Sequence, residues 1–430
     1  MKKQVDYGKL ALDLHEKYRG KIEVVPKVPI KSLQDFAIWY TPGVAAPCRD
    51  ISANREKVYD YTWKWNLVAV VSDGSRVLGL GNIGPDAGYP VMEGKCLLFR
   101  YLGGVDAVPI LLNTQDPDEI IRVVKLIAPS FGGINLEDIA KPKCFYILDR
   151  LREELDIPVW HDDQQGTALV TLAALKGALK VVGKKLNQVK IALIGAGAAG
   201  VAIARYLIVA GADPKKMLVV DSKGILHANR TDIPEEDYWK KKLAEITNPE
   251  GITGGIKEAL KGADVCIAVS RPGPGVIKKE WIKEMADDAI VFACANPVPE
   301  IWPWEAKEAG AKIVATGRSD FPNQVNNSLG FPAVFRGVFE VQAKKITDAM
   351  CIAAADALAE YAEKTGLSEE RIIPSMEELE AYVYEAVAVG QKAIEEGVAR
   401  VKLSRSELEE RCRERMLRAR KLSQSILNLA

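Results

Sequence analysis

Short apolar runs alternate with amphipathic segments along the first part of the chain, where apolar residues recur every three or four positions. Four of these runs end in polar or acidic residues, and they span residues 67–73, 106–113, 131–138 and 157–163. Strand-like runs separated by amphipathic helices are typical of a parallel sheet with helical crossovers. The pattern predicts a helix over residues 7–18, followed by an N-terminal α/β domain that reaches residue 165.

The same alternation starts again at Gly166 with a long apolar helix, which is followed by the buried strand VKIALI and a glycine-rich turn. Further strand-like runs are MLVVD, ADVCIAVS, AIVFACA and KIVATG. This pattern predicts a Rossmann-like, doubly wound parallel-sheet domain over residues 166–341. Beyond it only helical patterns remain, so we expect residues 342–430 to form a helical segment that packs back on the other domains.

Composition narrows the classes of protein that this chain can belong to. A length of 430 residues is too great for one hydrophobic core, and 58 basic residues balance 58 acidic ones. Zero net charge argues against nucleic acid or an anionic membrane as the main partner. The seven cysteines contain no CxxC pair, and neither a secretory signal nor a bilayer-spanning apolar run is evident. We therefore expect a cytoplasmic protein.

The pattern GxGxxG occurs twice, and its context differs between the two copies. The copy at residues 79–84 is followed by Pro85 and the segment PDAGYP, which favours a loop over a helix. The second copy lies between a strand and a helix, as dinucleotide binding requires. Its cofactor-binding residues are predicted to be Gly195, Gly197, Ala198, Ala199 and Gly200.

An acidic residue about 20 positions after this second copy bears on the choice of cofactor. Asp221 ends the next strand, and a carboxylate there accepts the ribose hydroxyls of NAD and repels a 2′-phosphate. Lys223 is placed to neutralise that phosphate instead. The sequence leans to NAD and leaves NADP open.

Two pairs of acidic residues end predicted strands of the first domain, Glu137-Asp138 and Asp162-Asp163. Ligands of open α/β sheets gather beyond the carboxyl ends of the strands, where two acidic pairs would repel each other. A hard divalent cation, Mg²⁺ or Mn²⁺, prefers such oxygen ligands. The alternatives are solvated surface acids or, for Asp163, a helix cap.

Several motifs in this order resemble the malic enzymes, in particular the small form of bacteria and archaea. They are YTPGV, VLGLGNIGP, PVMEGK, LED, HDDQQGTA, IGAGAAG, CANPVPE and TGRSDFPNQVNN, and they extend over nearly the whole chain. The resemblance implies oxidative decarboxylation of (S)-malate to pyruvate and CO₂ with NAD or NADP and a divalent metal. It also implies a homodimer or larger homo-oligomer.

The resemblance implies a role for individual residues. Lys95 matches the catalytic base, Tyr40 the catalytic acid, and Asp162 the acid that supports the lysine. Glu137, Asp138 and Asp163 match the metal ligands, while Asn296 and Asn326 match asparagines that contact substrate and nicotinamide. Arg76 stands where larger malic enzymes carry a substrate-binding arginine, although many small forms have a small residue there.

Two other kinds of function stay open at this point. One is a sibling activity, either an oxaloacetate decarboxylase or a hydroxyacid dehydrogenase that releases no CO₂. The other is a non-catalytic protein that senses NAD(P) through its Rossmann domain, for which neither Lys95 nor the acidic pairs would be needed.

Overall fold

The computed structural model describes residues 6–426, which form two parallel sheets surrounded by helices. The strands are β1 Leu67–Ser72, β2 Asp106–Leu111, β3 Gly133–Leu136, β4 Val159–His161, β5 Ile191–Ile194, β6 Met217–Asp221, β7 Gly224–Ile225, β8 Val265–Ala268, β9 Ile290–Ala293 and β10 Ile313–Thr316. The helices are α1 Tyr7–Tyr18, α2 Phe36–Trp39, α3 Ala45–Ala53, α4 Val58–Tyr61, α5 Gly84–Gly103, α6 Pro117–Ile127, α7 Lys143–Glu154, α8 Thr167–Val182, α9 Ala198–Val209, α10 Tyr238–Ile246, α11 Ile256–Leu260, α12 Lys279–Ile282, α13 Pro303–Glu308, α14 Phe331–Glu340, α15 Asp348–Thr365, α16 Leu379–Glu395 and α17 Arg405–Ile426.

The first sheet has four parallel strands in the order β2-β1-β3-β4. Strand β1 is buried along its whole length and packs against α5, which explains its continuous apolar run. All four predicted apolar runs contain one of these strands, although each strand is shorter than its run. The carboxyl ends of β3 and β4 are neighbours, with Leu136 opposite His161.

The second sheet has six strands in the order β10-β9-β8-β5-β6-β7, and only β7 is antiparallel. Strand β5 lies between β6 and β8, so the loop after it opens at the point where the strand order reverses. This is the topology at which a doubly wound sheet binds a dinucleotide. The predicted α/β class with a Rossmann-like sheet and a helical C-terminal segment is confirmed.

The C-terminal helices pack against both sheet-containing parts of the chain. Helix α15 lies along α8, and α17 lies along α5. This contact is close: a Cβ at Gly104, which follows α5, would lie 2.8 Å from the carbonyl oxygen of Arg415. The domain limits at residues 165 and 341 stay a prediction.

The segment after the first glycine pattern is helical, so the expectation of a loop there was wrong. Helix α5 begins at Gly84, with Pro85 in its first turn. A proline is tolerated at that position because the first backbone N–H groups of a helix have no partner within the helix. Pro90 lies further in, and the packing of Met92, Cys96 and Phe99 in the core holds the helix across it.

The N-terminal segment over residues 6–63 contains no buried residue. Helix α1 has the limits that the sequence predicted, yet all of its residues lie outside the core. The segment is attached to α5 near residues 20–21, where the Lys21 ammonium donates to the carbonyl oxygen of Pro90 at 2.8 Å. Within residues 6–426, no helix is both long enough and apolar enough to cross a membrane.

Candidate active site

Lys95 projects from the middle of α5 toward the carboxyl ends of β3 and β4. Its ammonium lies 2.6 Å from an oxygen of Asp162 and 3.0 Å from an oxygen of Glu137. All three side chains are less than a tenth exposed. The structure therefore joins three of the predicted residues, which are far apart in sequence, into one buried ion-pair cluster.

The three predicted metal ligands also converge. Carboxylate oxygens of Glu137, Asp138 and Asp163 lie within 4.8 Å of one another. One oxygen of Asp138 is buried and accepts no hydrogen bond from the described residues. An unpartnered buried carboxylate oxygen among other carboxylates is what a hard cation such as Mg²⁺ or Mn²⁺ would satisfy. These residues therefore fit the predicted metal site.

Without a cation beside them, the buried carboxyl groups of this site favour their protonated, neutral form. Burial, together with the charge of Asp163, raises the pKa of Asp138 to about 8. Burial also raises the pKa of Glu137, although the Lys95 charge opposes this shift. For Lys95 itself, burial lowers the pKa, but the charges of Asp162 and Glu137 outweigh burial and the net shift is upward. A lysine that acts as a base near neutral pH needs a lowered pKa, and for Lys95 this would require a positive charge beside these carboxylates.

The loop that carries Asp138 is held by its own set of hydrogen bonds. Asp138 has a positive φ of 54°, and its carbonyl oxygen accepts the Arg76 N–H at 3.0 Å. Two residues on, the Ala140 N–H donates to the Ser75 hydroxyl, which in turn donates to Asp73. Lys143 closes this set with a 2.5 Å ion pair to Asp73. These hydrogen bonds hold Asp138 in its left-handed backbone conformation at the site.

A π-helical turn over Asp162–Gly166 presents the other acidic pair. An oxygen of Asp162 accepts the Trp160 indole N–H at 3.0 Å, and this same oxygen would lie 2.0 Å from a Cβ at position 166. Position 166 therefore has to be glycine, because a side chain there would collide with the Asp162 carboxylate. Asp163 instead accepts the backbone N–H of Asp138 at 2.9 Å, so it links the ends of β3 and β4. It is not the cap of helix α8.

The second glycine pattern forms the predicted turn between β5 and α9. A Cβ at Gly200 would lie 1.8 Å from the carbonyl oxygen of Gly195, so the strand and the helix can approach only without a side chain there. A Cβ at Gly197 would meet no atom within 4 Å. The turn therefore leaves open space before the N-terminus of α9, beside Ala198 and Ala199, where a pyrophosphate would be bound by backbone N–H groups.

Two contacts connect loops of the first sheet with loops of the second sheet. The Lys141 ammonium, close to Asp138 in sequence, donates to the carbonyl oxygen of Ala196 at 3.2 Å. From the other side, a Cβ at Gly79 would lie 3.0 Å from the carbonyl oxygen of Asn296. The first glycine pattern thus allows close approach of the loop after β9.

The two predicted asparagines lie on either side of one glycine. The Asn326 amide donates to the carbonyl oxygen of Gly317 at 3.4 Å, and a Cβ at Gly317 would lie 2.7 Å from the Asn296 amide nitrogen. Asn296 is exposed and Asn326 is partly buried. Both asparagines therefore lie at the carboxyl ends of β9 and β10.

Comparison with known proteins shows which family combines these features. The family model of the malic enzyme N-terminal domain matches residues 19–152, and that of the malic enzyme NAD binding domain matches residues 164–394. The chain belongs to the malic enzyme family. Its enzyme class is therefore that of the NAD(P)-dependent oxidoreductases, and the resemblance seen in its motifs is confirmed.

Individual malic enzymes match over most of their length. The NAD-dependent malic enzyme of Geobacillus stearothermophilus is 51% identical over 383 residues, which are 89% of this chain and 78% of the relative. The NADP-dependent malic enzyme of Halomonas elongata is 43% identical over 406 residues, 91% of this chain and 94% of the relative. The crystal structure of Entamoeba histolytica malic enzyme superimposes with a TM-score of 0.96 at 50% identity, covering 98% of this chain and 88% of that one.

Not every residue expected in the malic enzyme site lies in the cluster. Tyr40 follows helix α2 and is 68% exposed, and its hydroxyl has no hydrogen bond to the described residues. Arg76 is exposed and donates to the carbonyl oxygen of Leu78 at 3.2 Å, while its backbone supports Asp138. The roles of Tyr40 and Arg76 stay predictions.

Near the end of β6 lie two cations that the sequence did not single out, Arg230 and Lys240. Asp221 forms a two-pronged ion pair with Arg230 at 3.0 and 3.1 Å and contacts the Lys240 ammonium. Both cations come from the segment beyond β7, and no spacing rule connects them to Asp221. They were visible only once the chain had folded.

Proposed function

We propose that this chain catalyses the oxidative decarboxylation of (S)-malate to pyruvate and CO₂, with reduction of NAD or NADP. One observation carries the proposal: the Lys95 ammonium contacts Asp162 and Glu137 at the edge of a carboxylate trio that fits a divalent cation. The glycine-rich turn lies close enough to be linked to the metal-binding loop through Lys141. A proton acceptor, a cation site and a nicotinamide site are thus combined.

Lys95 is proposed to accept the proton of the malate C2 hydroxyl. When bound, the dinucleotide supplies the hydride acceptor and the cation supplies charge that polarises the C2 oxygen. The Lys95 ammonium group is buried, which excludes water from the proton transfer. Asp162, at 2.6 Å, orients this ammonium and stabilises its charged form after the transfer.

The remaining residues are proposed to act on either side of this proton transfer. Glu137, Asp138 and Asp163 would hold the cation, and Asn296 and Asn326 would contact the nicotinamide and the substrate. Tyr40 would donate a proton to C3 of the enolate that remains after CO₂ has left, which gives pyruvate. Arg76 would contact a substrate carboxylate.

We further propose that the protein is a homo-oligomer located in the cytoplasm. Residues 6–63 have no buried residue, yet they carry more than half of the large hydrophobic side chains that are exposed in the described part of the chain. Contact with another copy would cover them. All seven cysteines are free, which supports a reducing compartment. Light scattering should give a mass of at least twice 47.1 kDa, and a monomeric mass would refute the oligomer.

A rate assay with malate tests the reaction. NAD and NADP are each combined with Mg²⁺, Mn²⁺ or a chelator, while reduced cofactor and CO₂ are measured together. We expect equal amounts of the two products, and loss of both with the chelator. Oxidation without CO₂ would instead support a hydroxyacid dehydrogenase, and CO₂ from oxaloacetate without malate oxidation would support a decarboxylase.

A further inference from the structure

Two neutral side chains on β3 and β4 donate to the carboxylates that contact Lys95. The Asn135 amide donates to one oxygen of Glu137 at 2.9 Å. In the same way, the Trp160 indole N–H donates to one oxygen of Asp162 at 3.0 Å. In both carboxylates the Lys95 ammonium contacts the other oxygen, at 3.0 Å in Glu137 and at 2.6 Å in Asp162. Each carboxylate therefore lies between one neutral donor and the lysine.

The register of the two strands explains why the two contacts are alike. Asn135 on β3 is paired with Trp160 on β4, and the side chains of paired residues in a parallel sheet point to the same face. Glu137 and Asp162 each follow two positions later, which is the spacing at which an extended chain returns to that face. Each donor and its carboxylate are thus neighbours along one segment of the chain.

Burial makes these two hydrogen bonds important for the carboxylates. Asn135 and Trp160 are completely buried, and Glu137 and Asp162 are almost so, which keeps solvent from competing for the carboxylate oxygens. Hydrogen bonds to ionised groups are among the stronger ones in proteins. Among the described residues, the side-chain oxygen of Asn135 accepts no hydrogen bond. The polar group of Asn135 therefore serves Glu137 and not the packing of the core.

The orientation of each carboxylate decides where the Lys95 ammonium can lie. Without its neutral donor, a carboxylate is free to rotate about its last side-chain bond and to move the oxygen that the ammonium contacts. A proton acceptor has to lie within hydrogen-bond distance of the hydroxyl from which it takes the proton. A displacement of the ammonium nitrogen by about 1 Å is therefore enough to slow the transfer strongly.

We propose that Asn135 and Trp160 are positioning residues, which fix the two carboxylates so that the ammonium of Lys95 is held between them. The inference rests on the proposed function, because Lys95 is the base of that reaction. Glu137 also belongs to the carboxylate trio that fits a divalent cation, whereas Asp162 does not. Asn135 therefore acts on the cation site and on Lys95, while Trp160 acts on Lys95 alone.

Trp160→Phe removes the indole N–H and keeps an aromatic ring in the core. We expect kcat of the full chain for malate oxidation to fall about tenfold or more, as is common when a group that orients a site residue is lost. The malate KM and the Mn²⁺ affinity, measured by titration calorimetry, should stay within about twofold, because Asp162 lies outside the carboxylate trio. A similar loss of Mn²⁺ affinity would indicate that the whole site has loosened, and it would contradict the proposal.

Asn135→Leu removes the amide that donates to Glu137. We expect kcat to fall about tenfold or more, and Mn²⁺ affinity to weaken about tenfold as well, because Glu137 takes part in both arrangements. Should this variant not fold, Asn135→Ala removes the same amide without adding bulk and carries the same expectation. Unchanged kcat or unchanged Mn²⁺ affinity in the folded variant would overturn the proposal.

A matched control lies at the opposite edge of the same sheet. The Trp63 indole N–H donates to a carboxylate oxygen of Asp106 at 2.7 Å, where β2 begins. Trp63→Phe should change neither kcat nor Mn²⁺ affinity.

The two readouts separate this inference from the proposed reaction. If the wild type oxidises malate and Trp160→Phe has normal turnover, the reaction stands and the positioning role fails. If the wild type does not oxidise malate, the proposed reaction fails and Mn²⁺ binding decides the positioning role. That role then stands only if Asn135→Leu weakens Mn²⁺ binding while Trp160→Phe does not.

Discussion

Acidic residues end strands in both sheets, but the two places differ in the charge that surrounds them. Beyond β3 and β4, Glu137, Asp138, Asp162 and Asp163 share one cation, Lys95, and we name these five residues the acidic cluster. Beyond β6, Asp221 is bound by two cations, Arg230 and Lys240. The position of a carboxylate in the topology is therefore not enough to define its ligand.

The difference explains which ligand each place can hold. Excess negative charge in a buried site is unfavourable until a divalent cation compensates it, as the raised pKa of Asp138 shows. At Asp221 the neighbouring cations already compensate the carboxylate charge. The two places therefore differ in the number of neighbouring cations, and only the first leaves negative charge that a metal ion would compensate.

The largest effect should come from replacing the only cation of the acidic cluster. Lys95→Arg keeps a positive charge near Asp162 and Glu137, but arginine does not release its proton and cannot act as a base. We expect kcat to fall by about 10³-fold or more, with the circular dichroism spectrum unchanged. The exposed Lys180, which pairs with Glu363, provides the control variant Lys180→Arg. Normal turnover by Lys95→Arg would remove Lys95 from the mechanism.

A smaller effect should follow when one negative charge of the acidic cluster is removed. Asp163→Asn deletes a carboxylate from the trio and should weaken Mn²⁺ binding by at least about tenfold, measured by titration calorimetry. Asp356→Asn removes a surface carboxylate that pairs with Lys176, and it should leave Mn²⁺ affinity as it is. Unchanged affinity in Asp163→Asn would show that the cation, if bound, lies elsewhere.

The smallest effect concerns a buried carboxylate without any cation. Glu385 on α16 is fully buried, neither of its oxygens has a partner among the described residues, and burial raises its pKa well above the usual value. The unfolded chain then loses the Glu385 proton at lower pH than the folded chain, so its contribution to stability is present below about pH 4.5 and is lost as pH rises.

Glu385→Gln removes this dependence. We expect wild type and variant to unfold at similar temperatures at pH 4.5, and the variant to unfold at the higher temperature at pH 8, measured by calorimetry. A constant difference across this range would mean that Glu385 does not titrate as its burial implies. Glu360, which lies on the surface of α15, gives the control variant Glu360→Gln.

Local patterns predicted the elements of this fold well and some contacts poorly. The limits of α1 and the position of every strand in the first sheet follow from apolar spacing, which is a local property. The start of α5 was missed because Pro85 and Pro90 read as loop residues, while the packing of Met92, Cys96 and Phe99 decides for a helix. The ion pairs of Asp221 were not predicted, because the partner residues Arg230 and Lys240 stand at no recognisable spacing from it.

The sequence by itself determined the α/β class, the dinucleotide turn around Gly197 and the family, because these depend on short motifs and on periodicity within single segments. Only the tertiary structure decided that Lys95 meets Asp162 and Glu137, and that Asp221 is neutralised rather than free. Such contacts join segments that are distant along the chain, and the packing of whole helices and strands sets their distances. The interaction between two charges depends on the distance between them, so the fold decides which cation each carboxylate binds.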